Sequence, residues 1–179
     1  LYTQRQEHEL AHRHYQQGLP FNWLKDELGA KVFYNFGVTL QALKQTTAAE
    51  TQYRLAVGLE PRGLIAASSY NQLGLLAAQK NSLRQARAYF EAAKGAVPTY
   101  AIAYKNLGVL YAMQNRWRQA QAQLSEAIRL DPDFSEAHFA LAEVLEHRGR
   151  IPQAVSSYQE VLRLDPNHIE ARKRLAVLR

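Results

Sequence analysis

The sequence predicts an all-α protein made of antiparallel helix pairs, and three observations carry that prediction. A pair of one large and one small residue recurs as Phe36-Gly37, Leu73-Gly74, Leu107-Gly108, Leu141-Ala142 and Leu175-Ala176, at steps of 37, 34, 34 and 34 residues. Twelve residues after the first four small residues stand Ala49, Ala86, Ala120 and Ala154, and four further on a large apolar residue, Tyr53, Phe90, Leu124 or Tyr158. Each unit then closes on a proline: Pro61, Pro98, Pro132 or Pro166. Several residue types recurring together at one period mark stacked supersecondary units.

Composition agrees. Of the 179 residues 47% are apolar, Ala, Leu, Gln and Arg dominate, and β-branched residues are sparse, so local preference is helical. The absence of cysteine excludes disulfides, thiolate metal sites and a cysteine nucleophile. The net charge is +6, with 15 Arg against 7 Lys, but no run of five or six basic residues forms the stripe a nucleic-acid surface needs. No nucleic-acid partner is therefore expected. No apolar stretch is long enough to span a bilayer, which predicts a soluble chain. The chain opens on Leu1 rather than Met, which leaves room for an upstream leader, anchor or further domain and leaves the compartment unassigned.

The elements follow in order. Residues 1–29 lie outside the register: Gln4 to Gln17 reads as a helix ended by Gly18-Leu19-Pro20, and Asn22 is placed to cap a helix starting near Trp23. This segment is expected to be a helical lead-in or cap, or half of a degenerate earlier unit. The array spans 30–179, with units at 30–63, 67–100, 101–134 and 135–168 and a closing helix at 169–179; the longer first step puts three extra residues, Leu64 to Ala66, between units one and two. In unit three, Tyr104, Leu107, Gly108 and Tyr111 repeat at helical spacing. Gln114-Asn115-Arg116 breaks the pattern, and Trp117, Ala120, Leu124, Ala127 and Ile128 form a second helical set. Gly108 and Ala120 are small enough for the two helices to approach closely. Pro132 cannot continue a helix and biases its predecessor towards extended backbone, whereas Pro152 suits the first turn of a helix.

These units resemble tetratricopeptide repeats, most fully in Ala101 to Phe134, and the resemblance covers residues 30 to 168. It implies a right-handed superhelical solenoid of helix pairs whose first helices line a concave face. His138 and Arg172 depart from the usual aromatic, and Thr46 replaces the Leu83, Trp117 or Ile151 of the later units. Units one and four are accordingly expected to be less regular than the middle two. The function implied is a non-catalytic scaffold, adaptor or assembly factor that binds another protein, or an extended peptide segment, in the groove. The groove residues would be Tyr34, Asn35, Asn71 and Gln72, then Lys105, Asn106, Val109, Met113, Phe139 and Glu143. Asn35, Gln72 and Asn106 share one register position, and a carboxamide can pair with a peptide unit whatever its side chain. The chaperone-type carboxylate clamp needs Lys and Asn four residues apart on a first helix. Tyr34 with Val38, and Lys105 with Val109, do not supply it.

One motif points elsewhere. His8-Glu9-Leu10-Ala11-His12 matches H-E-x-x-H, in which two helical histidines hold zinc and the glutamate activates water, as in zinc metalloproteases. The alternative function is thus a zinc peptidase, or a regulatory repeat domain of a larger enzyme. Only seven residues precede His8, and a metzincin extension would need Gly and His where Tyr15 and Gly18 stand. Glu27 is not selected as a third ligand by any recognised spacing. The expectation is a solvated helix surface, with no catalytic residue, metal or cofactor. Oligomeric state is not readable here.

Overall fold

The computed structural model describes Arg13 and residues 27–178; the H-E-x-x-H motif and the lead-in segment lie outside the described residues. Among the described residues there are nine helices and no strand. They are α1 (Glu27–Ala42), α2 (Thr46–Leu59), α3 (Gly63–Gln79), α4 (Leu83–Ala96), α5 (Ala101–Met113), α6 (Trp117–Leu130), α7 (Ser135–His147), α8 (Ile151–Leu164) and α9 (Ile169–Leu178). Two compact units divide the chain, Leu1–Pro98 and Thr99–Arg179.

Every hairpin closes in the same way. After α1, α3, α5 and α7 the chain passes through one residue of positive φ: Lys44 (61°), Asn81 (56°), Asn115 (58°) or Gly149 (69°). The next N–H reaches back five residues, Gln45 to the Leu40 carbonyl, Ser82 to Ala77, Arg116 to Tyr111 and Arg150 to Leu145, at 2.8–2.9 Å. With the companion three-residue bonds, such as Asn115 N–H to the Ala112 carbonyl at 2.9 Å, this satisfies the last carbonyls of the helix in a Schellman motif. The second helices end as the prolines dictate. Glu60, Val97, Asp131 and Asp165, each just before a proline, are extended. Pro152 occupies the first turn of α8. All four second helices are 14 residues long, so the departures in units one and four leave the hairpin regular. The three extra residues Leu64 to Ala66 lie inside α3, which begins at Gly63 and runs for 17 residues.

The first unit is held by Phe36, Leu40, Ala49, Tyr53, Leu73 and Leu76, all buried. Gly37 and Gly74 mark the close approaches within its two hairpins. A Cβ on Gly37 would lie 2.6 Å from Tyr53 Cε1, and one on Gly74 would lie 2.6 Å from Phe90 Cδ1. Tyr53 is fully buried, and its hydroxyl donates to Gln41 Oε1 at 2.8 Å. Desolvation pushes its pKa up. At the surface, Glu50 accepts from Lys80 (2.7 Å) and Arg54 (2.8 Å), which hold its carboxyl below the usual range.

The second unit repeats the plan. Gly108 does face Ala120, but through that residue's carbonyl oxygen, 3.2 Å from where a Cβ would stand; the nearest side-chain atom is Leu124 Cγ, at 2.5 Å. In the fourth hairpin Ala142 carries the methyl group, opposite buried Tyr158. The Tyr158 hydroxyl donates to Glu146 Oε2 at 3.1 Å, and burial pushes its pKa up to about 12. Helix α9 adds Ala171 and Leu175 to the core of Ala142, Leu145, Ala154, Tyr158 and Val161. It is capped by His168, whose Nδ1 accepts from the Ala171 N–H at 3.2 Å. Each fully buried large side chain contributes about 1.5–3 kcal/mol.

Candidate functional site

Helix α5 packs inwards with Ala103, Leu107, Gly108 and Leu110, and the same 3.6-residue period turns Ile102, Val109 and Met113 outwards. Val109 is 38% exposed and Met113 61%, high values for apolar side chains. On α7, Ala137, Ala142, Val144 and Leu145 are buried, leaving Glu136, Glu143 and His147 exposed. Between these helices lies an open cleft of about 260 Å³ lined by Val109, Met113, Trp117, Ala140, Glu143 and His147, with buried Leu124 beneath. Trp117, the first residue of α6, closes one end by stacking on His147, with ring centroids 4.5 Å apart and planes 9° from parallel.

The electrostatics of the cleft centre on Glu143. Desolvation raises its pKa; Arg174 and His147 act against this, while Glu146 and Glu170 reinforce it. Glu146 is already engaged, accepting from Arg174 at 3.2 Å and from the Tyr158 hydroxyl. One turn before Val109, Lys105 is half-buried with its Nζ 5.8 Å from the Phe134 ring. Burial lowers its pKa, and Glu136 opposes that shift.

The structure thus brings Val109, Met113 and Glu143 together at one cleft, with Lys105 on the same face of α5. The other sequence-derived residues are placed differently. Phe139 turns away, its ring 5.6 Å from Tyr158 and 4.8 Å from His168, and it packs on the α7–α9 core. Asn106 is only 7% exposed and Asn71 5%. In the first unit Asn35 and Gln72 are half-buried. Tyr34 packs on the core there, its ring 5.9 Å from Tyr53. The sequence reading counted Trp117 only as a packing residue. Its place as the first residue after the Gln114-Asn115-Arg116 break was the available signal that it also lines a groove end. Beyond the Trp117–His147 stack, a second, shallower depression of about 460 Å³ carries Arg116, Arg118 and Arg148. No group of three or more His, Cys, Asp or Glu suited to holding a metal occurs among the described residues.

Comparison with known proteins fits this architecture. Tetratricopeptide repeat profiles match residues 71–117 and 105–169, more than half of the chain, and a second profile of that description matches residues 30–62. The chain belongs to the tetratricopeptide repeat family. Its fold class is the all-α helical-repeat solenoid. Among solved structures, YrrB, a TPR protein with an unusual peptide-binding site, superposes with a TM-score of 0.71 at 23% identity, over 92% of this chain and 81% of that one. MamA gives 0.73 at 19% identity, covering 94% of each chain. The first TPR of Spaghetti (RPAP3), bound to the HSP90 peptide SRMEEVD, gives 0.63 at 18%, over 66% of this chain and 94% of that one. At these identities the likeness extends to the fold. No curated protein matches the chain. Among the described residues no helix is long and apolar enough to cross a membrane.

Proposed function

We propose that this chain is a non-catalytic interaction scaffold, an adaptor or assembly factor, that holds a polypeptide segment against the first helices of its repeats. The observation that carries the reading is the α5–α7 cleft, where Val109 and Met113 expose apolar surface beside an aromatic wall. A volume of about 260 Å³ is below the range of about 300–1,000 Å³ typical of small-molecule sites, and suits one or two side chains of a peptide. The peptide-binding YrrB and Spaghetti structures support the same use of this fold. Lys105, half-buried on the same face of α5, would add a polar contact. In the first unit Tyr34, Asn35 and Gln72 would offer a corresponding surface, with the half-buried amides of Asn35 and Gln72 best placed to meet a peptide backbone.

The test begins with the protein retained by the immobilised chain. Val109→Asp with Met113→Asp should weaken that partner by about tenfold or more, because it places charge in an apolar contact. Arg84→Glu with Arg87→Glu, on the exposed face of α4, should not. The opposite result would assign binding to the outer helices.

A further inference from the structure

The repeat supplies an internal comparison that isolates one residue. Directly after the small residue of each first helix stand Val38, Leu75, Val109 and, in the fourth unit, Glu143. Three apolar residues and one carboxylate occupy the same structural position, so hairpin packing does not demand the carboxylate. Four residues further on, at the end of each first helix, the series is Ala42, Gln79, Met113 and His147. The two departures with the most distinct chemistry, Met113 and Glu143, line the same cleft.

Glu143 is also the acidic residue among those lining the cleft, and Arg174 and His147 attract it without a direct contact. Its carboxyl makes no hydrogen bond or ion pair with another described residue, while the nearby cation Arg174 is taken by Glu146 at 3.2 Å. It is partly desolvated by the apolar wall it shares. A carboxylate in that setting gains most from a cation delivered together with apolar surface, because the ligand then excludes the remaining water. The wider surface is mixed, residues 135–168 holding three Lys and Arg against five acidic residues and residues 101–134 four against three, so the local carboxylate decides the sign at the cleft. An acidic segment would set its carboxylates against Glu143 and Glu136.

Resting on the peptide-binding reading above, we propose that the α5–α7 cleft selects a basic-apolar segment. A bulky apolar side chain enters between Val109, Met113 and Trp117, and an adjacent Lys or Arg pairs with Glu143. The occupant is thus a partner polypeptide carrying a short Lys/Arg-plus-apolar motif. A second copy of this chain is the competing occupant.

The experiment is selection of a displayed library of random linear peptides on the full chain, followed by fluorescence anisotropy with the enriched peptides. Enriched sequences should place Lys or Arg within two positions of Leu, Met or Phe. Glu143→Gln should weaken them by about tenfold, the loss of one charge-assisted contact. Glu143→Val, which installs the residue of units one and three, should do the same with helicity unchanged. Selection on Glu143→Lys should turn the preference to Asp and Glu. Met113→Asp should abolish binding of all groove peptides. Two outcomes overturn the proposal while leaving the groove reading intact: enrichment of acidic motifs, or peptides sensitive to Met113→Asp but indifferent to Glu143→Gln. Peptides that bind every variant as well as the parent, or no enrichment at all, defeat both. Concentration-dependent dimerisation lost in Met113→Asp would assign the cleft to a second copy instead.

Discussion

Glycine-to-alanine substitutions in helices gain about 0.8–1.0 kcal/mol of helix propensity when nothing stands in the way. Gly58 in α2 and Gly95 in α4 have nothing within 4 Å of the added methyl group, so Gly58→Ala and Gly95→Ala should each stabilise, by less than about 1 kcal/mol because each is the penultimate residue of its helix. Gly108→Ala should go the other way. Its methyl carbon would fall 2.5 Å from Leu124 Cγ and 2.9 Å from Cδ2, with the Ala120 carbonyl oxygen 3.2 Å off. Leu124 is fully buried, and the branching carbon cannot swing clear as a chain end would. Overpacking of this kind costs about 1–3 kcal/mol, which outweighs the propensity gain. Urea unfolding followed by helical circular dichroism at constant m gives each sign. Leu124→Ala should reverse the penalty, because the new methyl group then occupies part of the space vacated. The double-mutant cycle should return a favourable coupling of about 1–3 kcal/mol. If Gly108→Ala stabilises as much as Gly58→Ala and adds independently to Leu124→Ala, the close-approach argument is wrong.

Lys44 holds the left-handed position that Asn81, Asn115 and Gly149 fill in the other hairpins, so Lys44→Gly should stabilise by about 0.5–1 kcal/mol and Gly149→Lys destabilise similarly, read from thermal midpoints. The Ser69 hydroxyl is buried with no hydrogen-bond partner among the described residues, and the equivalent positions in units three and four are Ala103 and Ala137; Ser69→Ala should stabilise by about 1 kcal/mol or more in the same measurement. Glu143, with its pKa raised in the folded state, binds protons more tightly folded than unfolded. Stability should therefore fall as pH rises from the unfolded value of about 4.3 through the raised folded value. Glu143→Gln should raise the unfolding midpoint at neutral pH, with the difference vanishing below about pH 4.

The fold was legible because its determinants are repeated and local. A proline, a small residue and a large residue at fixed offsets encode a helix stop, a close approach and its filler, and the structure realises each at Pro132, Gly108 and Leu124. Counting from a core position does not locate a helix start, which is why Leu64 to Ala66 counted as an insertion between units and yet lie within α3. The lining of the candidate α5–α7 cleft was legible in part. A turn of 100° per residue separates inner from outer faces but not positions on the boundary between them. Asn106, next to inward Leu107, falls to the buried side. Phe139 lies on the exposed half of α7 by periodicity, but His168, the residue that caps α9, stacks on it, and a contact from so far along the chain leaves no mark in the local pattern. Lys44 gave no turn signal, because the Schellman closure of its hairpin rests on backbone bonds that a lysine makes as well as an asparagine.

Comparing units within one chain separates what packing requires from what it permits. Where all four units agree, as at Ala49, Ala86, Ala120 and Ala154, every residue is fully buried and the agreement is explained by contact. Where one unit differs at a buried position, the difference has a local packing consequence, as with Ala142 opposite Tyr158. The position after the small residue is another case: it is exposed or half-exposed in every unit, so burial constrains it little. A valine is accommodated there, as at Val38 and Val109, each 38% exposed. A glutamate at the same place carries a desolvation penalty in the free protein that the attraction of Arg174 and His147 offsets only in part. A group whose desolvation is incompletely offset in isolation, and which gains from an incoming cation, has the thermodynamic form of a recognition element. That form gives Glu143→Val two coupled effects: a more stable free protein and a weaker hold on a basic-apolar segment.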